Sequence, residues 1–133
     1  MNLRRAFAAV LLFGSSAAFA QQTVAGLWRS IDDKTAEAKA EIRIVESAAG
    51  VSGRIEKLLK KDAKQDAVCD KCEDDRKDRP IVGMEIIRGS KILDPENGRE
   101  YRLRLTPLED GRKLEVRGFV GPFYRNQVWV RAQ

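Results

Sequence analysis

From residue 24 onward the apolar residues recur mostly at every second position, and a period of two builds strands rather than helices. Lys39 to Glu46 carries Ala40, Ile42 and Ile44 on one face, with Glu41, Arg43 and Val45 on the other. Ala48-Ala49-Gly50 then turns the chain, and Val51, Gly53 and Ile55 restart the alternation, which reads as a hairpin. Further on, Tyr101, Leu103 and Leu105 oppose Arg102 and Arg104, while Leu114, Val116 and Gly118 oppose Glu115, Arg117 and Phe119. Val24–Ile31, Ile81–Arg88, Lys91–Leu93 and Gln127–Arg131 bring the total to about eight short strands, the pattern of an antiparallel meander. The breaks between them are turn sequences: Asp94-Pro95-Glu96-Asn97-Gly98, Glu109-Asp110-Gly111 and Gly121-Pro122.

A sheet with one apolar face must pack on a second layer or curl closed. No amphipathic helix is legible to cover it, so the economical solution is an all-β, up-and-down antiparallel barrel, which also removes exposed edges. Residues 60–80 interrupt the pattern. They mix both charge signs, hold almost no large apolar residue, and predict a solvated loop with one helical turn at most.

The N-terminus has a different character. Arg4 and Arg5 precede a mainly apolar run from Ala6 to Phe13, and small residues end in Ala18-Phe19-Ala20. Those are the three parts of a secretory signal peptide cleaved after Ala20, and the apolar run is shorter than the roughly 20 residues a spanning helix needs. The expectation is export to the periplasm, residues 21–133 forming one soluble β-barrel domain without an integral membrane segment. The formal net charge is +5, of which Arg4 and Arg5 supply two. The remaining charges are interspersed, without the basic stripe and stacking aromatics of a nucleic-acid binder.

Gly26-Leu27-Trp28 lies on the first strand and Trp129-Val130-Arg131 on the last. This resembles the calycin arrangement, lipocalins included, which implies that Trp28 plugs one barrel end and Arg131 lies across it. A second resemblance spans nearly all of residues 21–133. Gly26-Leu27-Trp28, Ile31-Asp32-Asp33-Lys34, Cys69-Asp70-Lys71-Cys72, Pro80-Ile81-Val82-Gly83, Ile92 to Gly98 and Leu114 to Gly121 occur in the order seen in the domain-of-unknown-function family numbered 2147. Those are small exported bacterial proteins, and the family name assigns no activity. Two departures stand out. Met84 to Ile92 is shorter than the family's corresponding stretch, which would shorten a hairpin, narrow the cavity or leave a gap in the wall. Tyr124-Arg125-Asn126-Gln127 replaces a Gly-Arg-Thr-Gln run, so whether Arg125 takes the family arginine's part is open.

Cys69 and Cys72 are the two cysteines of the chain. In an exported protein they read as a structural disulfide. A redox C-x-x-C would want positive surroundings, whereas Asp70, Glu73, Asp74 and Asp75 crowd this pair. Zinc normally needs four Cys or His ligands, and the chain has no histidine, so neither a metal nor a cofactor is expected. Asp32-Asp33, Asp94 and Glu96 read as turn-shaping residues rather than an acid–base pair. With no nucleophile motif and no phosphate loop, the expectation is a protein that is not an enzyme and has no catalytic residue.

Phe119, Phe123, Tyr124 and Arg125 flank the Gly121-Pro122 turn and are the candidate ligand-binding residues at a barrel mouth. Arg125 is equally readable as part of a solvated outer face, Arg117 mainly so. Two function classes follow. One is an exported binding module holding a small apolar or amphipathic ligand. The other is a cell-envelope interaction or structural protein whose barrel is filled by its own side chains and which contacts an envelope protein partner.

Overall fold

The computed structural model describes residues 23–132, together with Val10 and Gly14. The expected signal peptide of residues 1–20 and its cleavage point otherwise lie outside the described residues. Eight strands run in chain order: β1 Gly26–Ile31, β2 Ala38–Ser47, β3 Gly50–Leu58, β4 Glu85–Arg88, β5 Lys91–Asp94, β6 Arg99–Leu108, β7 Lys113–Val120 and β8 Phe123–Arg131. Each pairs antiparallel with the next, and β8 returns to β1 through Trp28↔Arg131 and Arg29↔Val130, so the sheet closes into a barrel. The all-β, eight-stranded, up-and-down expectation holds. Among the described residues the only helical piece is the 3-10 turn Glu109–Gly111.

The alternation works as the physics requires. Ala40, Ile42 and Ile44 of β2, Ile55 of β3, and Leu114 and Val116 of β7 are buried in one cluster with Trp28 and Trp129. Their neighbours Arg43 and Glu56 face outward and pair across β2 and β3 at 2.9 Å. An apolar interior with charged outer faces is the reverse of a transmembrane barrel, whose outward band is apolar.

Two boundaries differ from the sequence reading. β4 begins at Glu85 rather than Ile81, because Pro80 and Ile81 belong to the incoming segment, with Pro80 bridged to Val68. β8 begins at Phe123 rather than Gln127, because β7 and β8 stay paired down to Val120↔Phe123 around the Gly121-Pro122 turn. The short Met84–Ile92 stretch leaves no gap. It produces a low wall, with β4 and β5 paired only at Ile87↔Ile92 and Arg88↔Lys91.

The segment 59–84 is the larger correction. It is not a simply solvated loop, because it packs against that low wall. Cys69 and Cys72 are joined by a disulfide, are 0% and 1% exposed, and belong to the core cluster. Arg76 is 4% exposed. Its Nη1 donates to the Glu85 carbonyl at 2.9 Å and its Nη2 to the Glu100 carboxylate at 2.9 Å, while Asp74 grips the same guanidinium. A buried guanidinium needs such a full set of acceptors. Gly98 makes the docking possible: a Cβ there would stand 1.8 Å from the Lys71 carbonyl oxygen, and its φ is +74°.

Candidate functional site

Strand direction gives the barrel two unlike ends. The β2–β3, β4–β5 and β6–β7 connections gather at one, and the 32–37, 59–84, 95–98 and 121–122 connections at the other. At the first end Trp28 is fully buried, and its indole N–H donates to the Val24 carbonyl at 2.9 Å. The Arg131 guanidinium carbon stands 4.1 Å from the Trp28 ring centroid. Its Nε donates to the carbonyl of Gly111 at 2.6 Å, Nη1 to that of Ala25 at 2.8 Å and Nη2 to that of Thr23 at 2.8 Å. One arginine thus ties the residues just before β1, the β6–β7 connection and β8 together over the indole. Gly26, with φ of +132°, leads into β1 beneath this arrangement.

The other end opens into a cavity of about 530 Å³. Ile42, Ile55, Ile86, Leu93 and Val116 make its apolar wall, and Trp129 lies toward the closed end. Ser30 and Gln127 place polar atoms inside it, and Gln127 Oε1 accepts from the Trp129 indole N–H at 3.2 Å. Volume, apolar lining and a few polar groups match what small-molecule sites have in common.

Charged side chains ring the mouth. Lys60 Nζ lies 3.3 Å from Asp32 and 3.7 Å from Glu96, and Lys39 lies 3.3 Å from Glu96. Arg125 reaches from β8 to Asp33 at 2.8 Å. Asp32 is held down to about 2, first by the backbone N–H groups of Lys34 and Thr35 and then by Lys60. Lys60 and Arg125 are correspondingly raised, each chiefly by its hydrogen-bonded aspartate, Asp32 and Asp33 respectively. These groups stay ionised across the neutral range. Singly, such exposed pairs contribute little. Together they link the 32–37 connection, segment 59–84, the 95–98 turn and β8 across the opening.

Phe123, Tyr124 and Arg125 line the cavity at this rim. Phe119 does not join them. It sits on the outer face of β7, with Arg102 at 5.3 Å and Arg104 at 5.4 Å from its ring centroid, because its neighbours Gly118 and Val120 occupy the inward positions. Lys39, Lys60 and Ile81 line the cavity without having been singled out in the sequence. For Lys39 the reason is a register shift at Ser30/Ile31 against β2, which breaks strict alternation where β2 begins. Lys60 and Ile81 come from the segment whose docking no periodicity signals.

A closed eight-stranded antiparallel barrel, plugged by tryptophan and arginine at one end and hollow at the other, is a lipocalin-like fold. Protein HP1028 from the human pathogen Helicobacter pylori, described as belonging to the lipocalin family, has a similar solved structure. The two align with a TM-score of 0.67 over 84% of each chain at 13% identity, a likeness of fold. The model of the bacterial family DUF2147, described as uncharacterized proteins conserved in bacteria, matches residues 26–131, and the chain belongs to that family. No protein of curated function matches it in sequence.

Proposed function

We propose that this protein is an exported, periplasmic binding module that holds a small apolar or amphipathic ligand in the barrel, acting by binding rather than catalysis. The observation that carries this reading is the cavity of about 530 Å³, aliphatic within and ringed by charge at its single described mouth. A barrel filled by its own side chains, as a purely structural envelope protein would have, leaves no such volume. An apolar body would sit against Ile42, Ile55 and Leu93, with any polar head among Lys39, Lys60 and Arg125. Asp32, held low by the backbone of its own turn, is a poor candidate for acid–base chemistry. Asp32 at about 2 stays ionised near neutral pH and cannot serve as a general acid there.

The test is titration with a fluorescent apolar probe, N-phenyl-1-naphthylamine, against the purified protein and its Ala40→Phe variant. Ala40 is buried and lines the cavity, so the larger side chain occupies ligand space. Saturable binding by the parent and roughly tenfold weaker binding by the variant, about 1.4 kcal/mol, are expected. Absence of probe binding, or equal binding by a folded Ala40→Phe protein, overturns the reading.

A further inference from the structure

The outer face of the barrel is not uniform in its electrostatics. On the β1–β4 side each outward arginine has a carboxylate: Arg29 with Glu41, Arg43 with Glu56, and Arg54 and Arg88 with Glu85. On β6, Arg102 and Arg104 form no ion pair among the described residues. They lie over the Phe119 ring instead, and beside them Arg117 stands 4.2 Å from the Tyr124 ring centroid. Arg117 has Glu115 at 3.5 Å, so the patch keeps an excess of positive charge.

That patch adjoins the most exposed apolar tip of the barrel. Val120 and Phe123 are the last pair of the β7–β8 hairpin, and they are 57% and 76% exposed. Arg102 pairs in register with Phe119, one residue from the tip, so cations and apolar side chains present together at the mouth. Two apolar residues on a turn, flanked by aromatic-backed arginines, form a wedge rather than a groove. A wedge of this kind fits a soft interface of matching polarity: acyl chains beneath a layer of negative head groups. A second copy of the chain fits poorly, because a two-fold contact through this face would set arginines against arginines.

We propose that the β7–β8 tip and the arginines beside it dock the protein on an anionic lipid bilayer, mouth toward the membrane. Val120 and Phe123 enter the acyl boundary, and Arg102, Arg104 and Arg117 meet the phosphates. Phe123 also lines the cavity, so the docked barrel opens directly onto lipid. The inference rests on the outer surface and does not require that the cavity be occupied.

The experiment is vesicle flotation of the protein in the form the cell accumulates, its N-terminus determined by mass spectrometry. Vesicles containing about one-third phosphatidylglycerol in phosphatidylcholine are compared with phosphatidylcholine alone. Binding is expected only to the anionic vesicles and should weaken at high salt. Arg102→Gln with Arg104→Gln should lower it about 25-fold, roughly fivefold for each cation removed. Phe123→Ser should also release the protein, and Phe123→Trp should add emission that shifts blue on anionic vesicles. All three positions are on the surface, and near-ultraviolet circular dichroism checks that the variants fold. Equal binding to both vesicle types, binding unchanged in the variants, or self-association through this face overturns the proposal. So does absence of vesicle binding, and if the naphthylamine probe still binds, the ligand-binding reading survives that failure.

Discussion

Replacing Arg131 with alanine removes four contacts at once. Three are hydrogen bonds to carbonyls, of Gly111, Ala25 and Thr23, and the fourth is the guanidinium face on Trp28. Leaving a buried acceptor unpaired costs about 1–3 kcal/mol. These carbonyls are only part-buried, and water can re-enter, so about 1 kcal/mol each is the appropriate figure. Stacking on the indole adds about 1 kcal/mol. The expected loss is therefore about 4 kcal/mol, and with a urea m-value of about 2 kcal/mol/M the midpoint should fall by about 2 M. Arg131→Lys should recover little, since an ammonium cannot bond three divergent carbonyls while lying flat on a ring. The comparison that isolates the cause is Arg117→Ala. Arg117 lies at nearly the same distance from an aromatic ring, 4.2 Å from Tyr124, but on the outer face, where it meets the Asn126 and Glu115 side chains and, among the described residues, no backbone carbonyl. Its loss should cost about 1 kcal/mol, well below that of Arg131. Urea unfolding followed by Trp28 fluorescence, in a Trp129→Phe background, measures all three. If Arg131→Ala and Arg117→Ala shift the midpoint equally, burial and carbonyl ties are not what close this end.

Three other substitutions, one of them a control, test how segment 59–84 is held. Gly98→Ala puts a Cβ into the Lys71 carbonyl at positive φ, whereas Gly121→Ala, also at positive φ, meets nothing within 4 Å. Gly98→Ala should cost more than about 2 kcal/mol and Gly121→Ala about 1, read from urea midpoints, and equal costs would mean that the segment does not dock on the 95–98 turn. Asp74 is lowered from 3.8 to about 2, chiefly by its hydrogen bonds to the Arg76 side chain. Its contribution is whole above the unfolded carboxylate's ordinary value and drains away as pH falls toward 2. Asp74→Asn should flatten the acid limb of the thermal midpoint against pH between those values, and an unchanged limb would mean that Asp74 does not help hold Arg76 and the segment in place.

How much of this was legible beforehand depended on the range of the interaction. Period-two alternation in β2, β6 and β7 is local, and it specified which side chains turn inward before any partner strand was known. Through the calycin resemblance, Gly26-Leu27-Trp28 and the late Arg131 marked the two strands that meet when the sheet closes. Two cysteines separated by Asp70 and Lys71 announced their pairing, because a tight turn already brings them within reach. Even Asp32 and Asp94 behaved as read, each accepting backbone N–H bonds from the turn that follows it.

What the sequence could not carry was anything that depends on elements distant along the chain. Residues 60–80 look like solvent-facing loop because burial of Arg76 depends on acceptors from Glu85 and Glu100, which only the closed barrel brings beside it. Phe119 and Phe123 are near neighbours in sequence, yet the hairpin turns one outward onto arginines and leaves the other at the mouth. The local pattern alone determined an apolar interior and a strand number, and the residues that seal one end were legible through the calycin resemblance. Whether that interior stays hollow was decided only by tertiary structure, because cavity volume is set by how strand register, a bulge at Ser30/Ile31 and a docked segment combine. Those are properties of the closed sheet, and no stretch of sequence contains them.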